Sequence, residues 1–160
     1  MKKLALFLAC AAISGTALAD VHISDAWVRS TVPAQKATGA FMHLHADQDA
    51  RLKSASSPVA GVVQLHEMAM DNNVMRMRET KAIDLKKDQV VELKPGSYHI
   101  MLMGLKQAVA PNTSVPITLV FENQKDGKTF EKHIKAPVRA LGAAPQGNPQ
   151  DHAGHAAHSH

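Results

Sequence analysis

The chain is 160 residues long and 45% hydrophobic, with 18 Lys and Arg against 14 Asp and Glu and a net charge of +4. That length allows one domain with a sizeable core, and the positive charge is too mild and too dispersed for a nucleic-acid binder. A single cysteine excludes a disulfide within the chain, so stability has to come from burial and hydrogen bonding.

Residues 1–19 read as an export signal. Two lysines precede an apolar run, and Ala17-Leu18-Ala19 has the small-x-small pattern of a cleavage site. Cleavage there starts the mature chain at Asp20, leaves 141 of the 160 residues, and reduces the charge to 16 basic against 14 acidic residues. It also removes Cys10. Acylation of Cys10 is the lesser alternative, because Phe7-Leu8-Ala9 is a poor lead-in and little apolar chain precedes it. The apolar run is too short for a permanent membrane span, and no later segment is longer. The expectation is therefore a soluble periplasmic monomer without stable membrane insertion.

From residue 20 to 138 the dominant pattern is alternation of period two, with little amphipathic helical periodicity. In chain order the strand-like runs are "HISDAWVRST", "TGAFMHLHA", "VVQLHEMAM", "NVMRMRET", "QVVELKPG", "YHIMLMGL", "SVPITLVFEN" and "KTFEKHIKAPV". Turn signals such as "VPAQKATG", "SSPVAG", "DNN", "KPGS", "APNTS" and "QKDGK" separate them. Many short strands at this spacing predict an all-β, antiparallel sandwich or barrel with Greek-key connections. Residues 139–160 have too few large apolar side chains to bury, and are expected to form a flexible His-rich tail.

Within this pattern the sulfur and imidazole groups fall on defined faces. A strand through "QLHEMAMD" puts His66, Met68 and Met70 on one side, and one through "NVMRMRE" puts Met75 and Met77 together. The polar link Asp71-Asn72-Asn73 suits a hairpin that would set these two faces against each other. In "YHIMLMGL" the residues His99, Met101 and Met103 share a side. Such a density of methionine is a poor way to specify a core, whereas thioether sulfur is a soft donor that favours Cu(I). Met42, His22, His43, His45 and His133 are assigned to core or surface, and Trp27 to the core of the first strand. "HEMAM" begins like the zinc-protease signature, but its fifth residue is Met70 rather than histidine.

His66 is followed after ten residues by Met77, after twenty-one more by His99 and after one more by Met101. With "HEMAM", "VMRMR" and "GSYHIMLMGL" around it, and "DAWVRSTVP" and "TGAFMHL" upstream, this series resembles the PCuAC-type periplasmic copper chaperone family over residues 21–138. The resemblance implies a cupredoxin-like β-sandwich that binds Cu(I). It implies His66, Met77, His99 and Met101 as ligands, and copper supply to the binuclear site of cytochrome c oxidase. The partner would be the oxidase copper-site subunit itself or a thiol-bearing assembly protein. Met68, Met70, Met75 and Met103 are auxiliary candidates that the motif does not carry over, divided between packing around the site and extra donation.

The donor chemistry suits an oxidising compartment, where thiolates would oxidise and thioethers have no proton to lose. Two imidazoles and two thioethers form a neutral set, matched to a soft monovalent ion. His152, His155, His158 and His160 in the tail are candidates for a looser Cu(II) site. The lack of a cysteine in the expected mature chain argues against a blue-copper electron carrier. Copper storage or sequestration without a dedicated recipient is the main alternative. No nucleophile motif or carboxylate pair points to an enzyme.

Overall fold

The computed structural model describes residues 20–140; the expected export signal, residues 1–19, and residues 141–160 of the expected tail lie outside the described residues. The described residues form ten strands: β1 (Val21–Arg29), β2 (Ala37–Ala46), β3 (Ala50–Ser56), β4 (Val62–Asp71), β5 (Val74–Glu79), β6 (Ile83–Leu85), β7 (Val90–Leu93), β8 (His99–Met103), β9 (Ser114–Asn123) and β10 (Thr129–Arg139). No helix long and apolar enough to cross a membrane is present among them.

The strands run in the order β5-β4-β8-β2-β1-β10-β9-β3-β6, with β7 also paired to β2. Alternation makes one side of each strand apolar, and the inward side chains Ala40, Met42, Leu44, Leu65, Ile100 and Leu102 meet Leu52, Ile83, Ile117, Leu119 and Phe121 in one core. Each of the larger aliphatic and aromatic side chains contributes about 1.5–3 kcal/mol by leaving water. The result is the expected all-β sandwich, with the two layers joined where the end of β10 meets β1.

That junction departs from an all-antiparallel scheme, because Val28 and Arg29 pair with Val138 and Arg139 in parallel. Two strands also escape the alternation pattern. In β3, "ARLKSAS", Ala and Ser are weak strand formers, and a register shift between Leu52 and Ser54 breaks the alternation. β6 is only three residues long, yet it buries Ile83 and Leu85 completely.

The assignment of Trp27 to the core is also corrected. Val21 and Ile23 pair with Ala46 and Leu44 on the inward side, but a bulge between Ser24 and Trp27, with Asp25 at φ 49°, inserts one extra residue. Parity then shifts. Val28 turns inward, and Trp27 turns outward beside Phe41.

The β4–β5 connection is a two-residue turn in which Asn72 and Asn73 have φ of 48° and 62°. Left-handed values at both positions define the type I′ turn, and Asn tolerates them better than most residues. The turn locks the register Met70↔Met75, Met68↔Met77 and His66↔Glu79. Replacing Asn73 by Val should cost the hairpin about 1–2 kcal/mol, since a β-branched side chain resists this conformation. Hydrogen exchange is expected to quicken in β5 and to stay unchanged in β9 and β10.

Candidate metal centre

Three neighbouring strands of one layer, β5, β4 and β8, turn their donor side chains away from the core. In the β4–β8 pairing His66 lies opposite His99, and Gln64 lies opposite Met101. In the β4–β5 pairing Met68 lies opposite Met77. Leu65, Ile100 and Leu102 point the other way and are buried in the core. Alternation thus separates the chemistry from the packing, strand by strand.

The tightest contact joins β8 to β5: His99 Nε2 lies 3.0 Å from the Met77 sulfur. The other nitrogen of His99, Nδ1, lies 3.0 Å from the carbonyl oxygen of Ser97. A carbonyl only accepts, so Nδ1 carries the hydrogen and donates it. In the neutral ring that leaves Nε2 with a bare lone pair facing a thioether, two donor atoms aimed at each other. A ring anchored through one nitrogen to the backbone, with the other free, is the usual state of a metal-ligating histidine.

His66 stands behind this pair, its ring edge-on to His99 with centroids 5.6 Å apart. Its Nε2 is 3.0 Å from Gln64 Oε1, while its Nδ1 is buried with no hydrogen-bond partner. Burial pulls the His66 imidazole below its ordinary value of 6.5, and the neighbouring His99 acts in the same direction against a smaller opposing effect of Glu79.

A cavity of about 330 Å³ opens over these strands. Met77, His99 and Met101 line it, as does Met68, and no carboxylate does. Its wall includes Pro95 and Gly96, in the turn that interrupts the path between β7 and β8 and supplies the Ser97 carbonyl. Its floor is Phe41, whose ring folds over Gly39; a Cβ at Gly39 would lie 2.7 Å from the end of that ring. Phe41 packs against Trp27 with ring centroids 4.5 Å apart and planes tilted by 34°, and the guanidinium groups of Arg29 and Arg139 lie over the rings of Phe41 and Trp27, each 5.5 Å from the centroid. Arg29 also lines the cavity, so a fixed positive charge stands beside the sulfur and imidazole donors.

The family model described as "Putative lipoprotein LpqE-like" matches residues 21–138. The chain belongs to the LpqE-like family. A relative named "Putative lipoprotein Lxx21020", from Leifsonia xyli subsp. xyli, is 30% identical over 125 residues, spanning 78% of this chain and 72% of its own. Among solved structures, the copper-bound PCuAC domain from PmoF2 is 25% identical, with a TM-score of 0.60 over 76% of this chain and 93% of that one. Cu(I)-DR1885 from Deinococcus radiodurans is 28% identical, with a TM-score of 0.52 over 73% of this chain and 76% of its own. The PmoF2 match is a domain of the PCuAC kind that the His/Met series resembles.

Of the motif residues, Met77, His99 and Met101 share the cavity, while His66 reaches the group through its ring contact with His99. Among the auxiliary candidates only Met68 lines the cavity. Met70 and Met75 pair at the far end of the hairpin, and Met103 sits farther along β8 opposite Val62 and Ala37. The four tail histidines lie outside the described residues. Among the described residues, no three His, Cys, Asp or Glu side chains converge on a metal position, and the contact between His99 and Met77 is of imidazole with thioether. Phe41, Trp27, Arg29, Gln64 and Glu79 escape a search for donor residues, since none is a soft ligand; the parity of "TGAFMHLHA", which sets Gly39 and Phe41 against Ala40 and Met42, is the signal that places Phe41.

The lowered proton affinity of His66 has a testable sign. Above pH 6.5 neither the folded nor the unfolded chain protonates this ring, so it contributes nothing. As pH falls below that value the unfolded chain takes up a proton that the folded site resists, and stability is lost. NMR titration should place the His66 midpoint below 6.5. Thermal melts between about pH 7 and pH 5 should show an acid loss that shrinks in His66→Gln.

Proposed function

We propose that the protein is an exported copper carrier that holds Cu(I) through His66, Met77, His99 and Met101. The recipient would be the binuclear copper site of cytochrome c oxidase, reached directly or through a thiol-bearing partner. The observation that carries this reading is the 3.0 Å approach of an imidazole nitrogen to a thioether, in a cavity lined by two further methionines and no carboxylate. Neutral soft donors match a monovalent d10 ion, whereas Cu(II) and Zn(II) favour more nitrogen, oxygen or thiolate. Arg29 adds to the discrimination, because its repulsion of a dication is twice that of a monocation at the same distance. The copper-bound PmoF2 domain and Cu(I)-DR1885 support copper as the cargo. The lipoprotein names of the relatives support a place in the cell envelope.

Handover also finds support in the exposure of the donors. His99 is 6% exposed, whereas Met77 is 50% exposed on the edge strand β5. An incoming thiolate or imidazole can displace the methionine first and the buried histidine last. Each step keeps the ion coordinated.

Anaerobic Cu(I) competition titration tests the site. Met77→Leu and Met101→Leu keep volume and apolarity, so folding stability should change by less than about 1.5 kcal/mol while Cu(I) affinity falls. Binding should also weaken in acid, because an imidazole must be neutral to coordinate. Equal affinity in the Leu variants returns those residues to packing. Mixing the loaded protein with an apo oxidase copper domain separates carrier from store: metal that stays put favours sequestration.

His152, His155, His158 and His160 would add a second, looser site for Cu(II). Truncation after Ala140 should lower Cu(II) stoichiometry in equilibrium dialysis and leave Cu(I) binding intact. An unchanged stoichiometry would remove the tail site.

A further inference from the structure

Glu79 faces His66 across the β4–β5 pairing, and Gln64 lies two residues before His66 on the same side of β4. The three side chains form a hydrogen-bonded series. Gln64 Nε2 donates to Glu79 Oε2 at 3.0 Å. Because a carboxylate accepts, this contact directs the amide nitrogen toward Glu79 and turns the amide oxygen the other way. Gln64 Oε1 is then 3.0 Å from His66 Nε2. An amide oxygen also only accepts, so His66 Nε2 carries the ring hydrogen.

The consequence falls on the other nitrogen. Nδ1 of a neutral ring protonated at Nε2 is a bare acceptor, and in this structure Nδ1 is the buried side-chain atom left without a partner. A buried acceptor with nothing to accept is destabilising, a loss that a bound cation would recover. His99 has the opposite arrangement, with Nδ1–H donating to Ser97 and Nε2 turned to Met77.

We propose that Glu79 and Gln64 are positioning residues that select the donor nitrogen of His66, so that His66 binds through Nδ1 and His99 through Nε2. This rests on the copper site proposed above. With the ion on Nδ1, the Nε2–H···Oε1 bond survives loading and strengthens as the ring gains positive character. Coordination through Nε2 would instead break that bond and leave the Gln64 oxygen unpaired.

Long-range nitrogen–proton NMR spectra of the histidine rings decide this, since Cu(I) is diamagnetic. The wild-type protein should show His66 with its hydrogen on Nε2 both without metal and with Cu(I), and with Nδ1 metallated when loaded. Gln64→Leu should abolish the tautomer preference and lower Cu(I) affinity by about tenfold to a hundredfold. Glu79→Gln still presents an amide oxygen to Gln64 and should keep the tautomer and most of the affinity. If Gln64→Leu does not fold, Gln64→Ala is judged by the same two readouts. A His66 hydrogen on Nδ1, metallation at Nε2, or a Gln64 variant with unchanged tautomer and affinity overturns the proposal. Failure of the wild type to take up Cu(I) overturns the copper function and the donor assignment together, whereas uptake through Nε2 overturns the donor assignment alone.

Discussion

Everything at this site depends on strand register. Sulfur and imidazole groups reach one side of β4, β5 and β8 because His66 pairs with His99 and Met68 with Met77. A slip of one residue in either pairing would send the donors to the opposite side and bring Leu65 or Ile100 out of the core. Two features oppose such a slip. The Asn72-Asn73 turn fixes the β4–β5 offset, and the buried residues Leu65, Ile100 and Leu102 fix β4 against β8. The fold's stability and its chemistry therefore share one constraint.

The donor set divides into a rigid part and a yielding part. His99 is buried, tied to the backbone carbonyl of Ser97 and flanked by Phe41, so its lone pair is held in place. Met77 sits on a strand paired on only one side, with much of its surface in water. A carrier needs both, since a wholly rigid site would retain its ion and a wholly mobile one would not collect it. Charge is arranged to match: Arg76 and Arg78, which alternate with the methionines, point to the other side of the hairpin and pair with Asp71 and Glu67. The cavity lining is left without carboxylates that would draw hard divalent ions, and Glu79, on the donor side opposite His66, is engaged by Gln64.

The aromatic floor shows how a backbone irregularity serves the site. The bulge at Asp25 turns Trp27 out of the core and onto Phe41. Gly39, opposite Met101, leaves the space in which the Phe41 ring lies. Arg29 and Arg139, from the parallel junction of β1 and β10, lie over the two rings. The seam that joins the two layers thus also anchors one wall of the cavity.

Much of this was legible in the chain alone. Period-two alternation in β2, β4, β8 and β9 announced strands, Asp71-Asn72-Asn73 announced a hairpin, and the spacing of His66, Met77, His99 and Met101 announced a family. These are local signals, set by residue type and by the geometry of an extended backbone. Other features depend on groups distant in sequence. β3 and β6 owe their strand state to partners rather than to propensity, Trp27 faces outward because one extra residue reverses parity, and Met68 joins the cavity while Met70 and Met75 do not. The same holds for the free nitrogen of His66. Its identity follows from Gln64 and Glu79, and no property of an isolated histidine selects one tautomer firmly. Composition and periodicity determined which atoms were present and which side of β4, β5 and β8 they occupied. Only tertiary pairing decided which of them meet, because distances between strands are set by hydrogen-bond register and core packing, which no single segment contains.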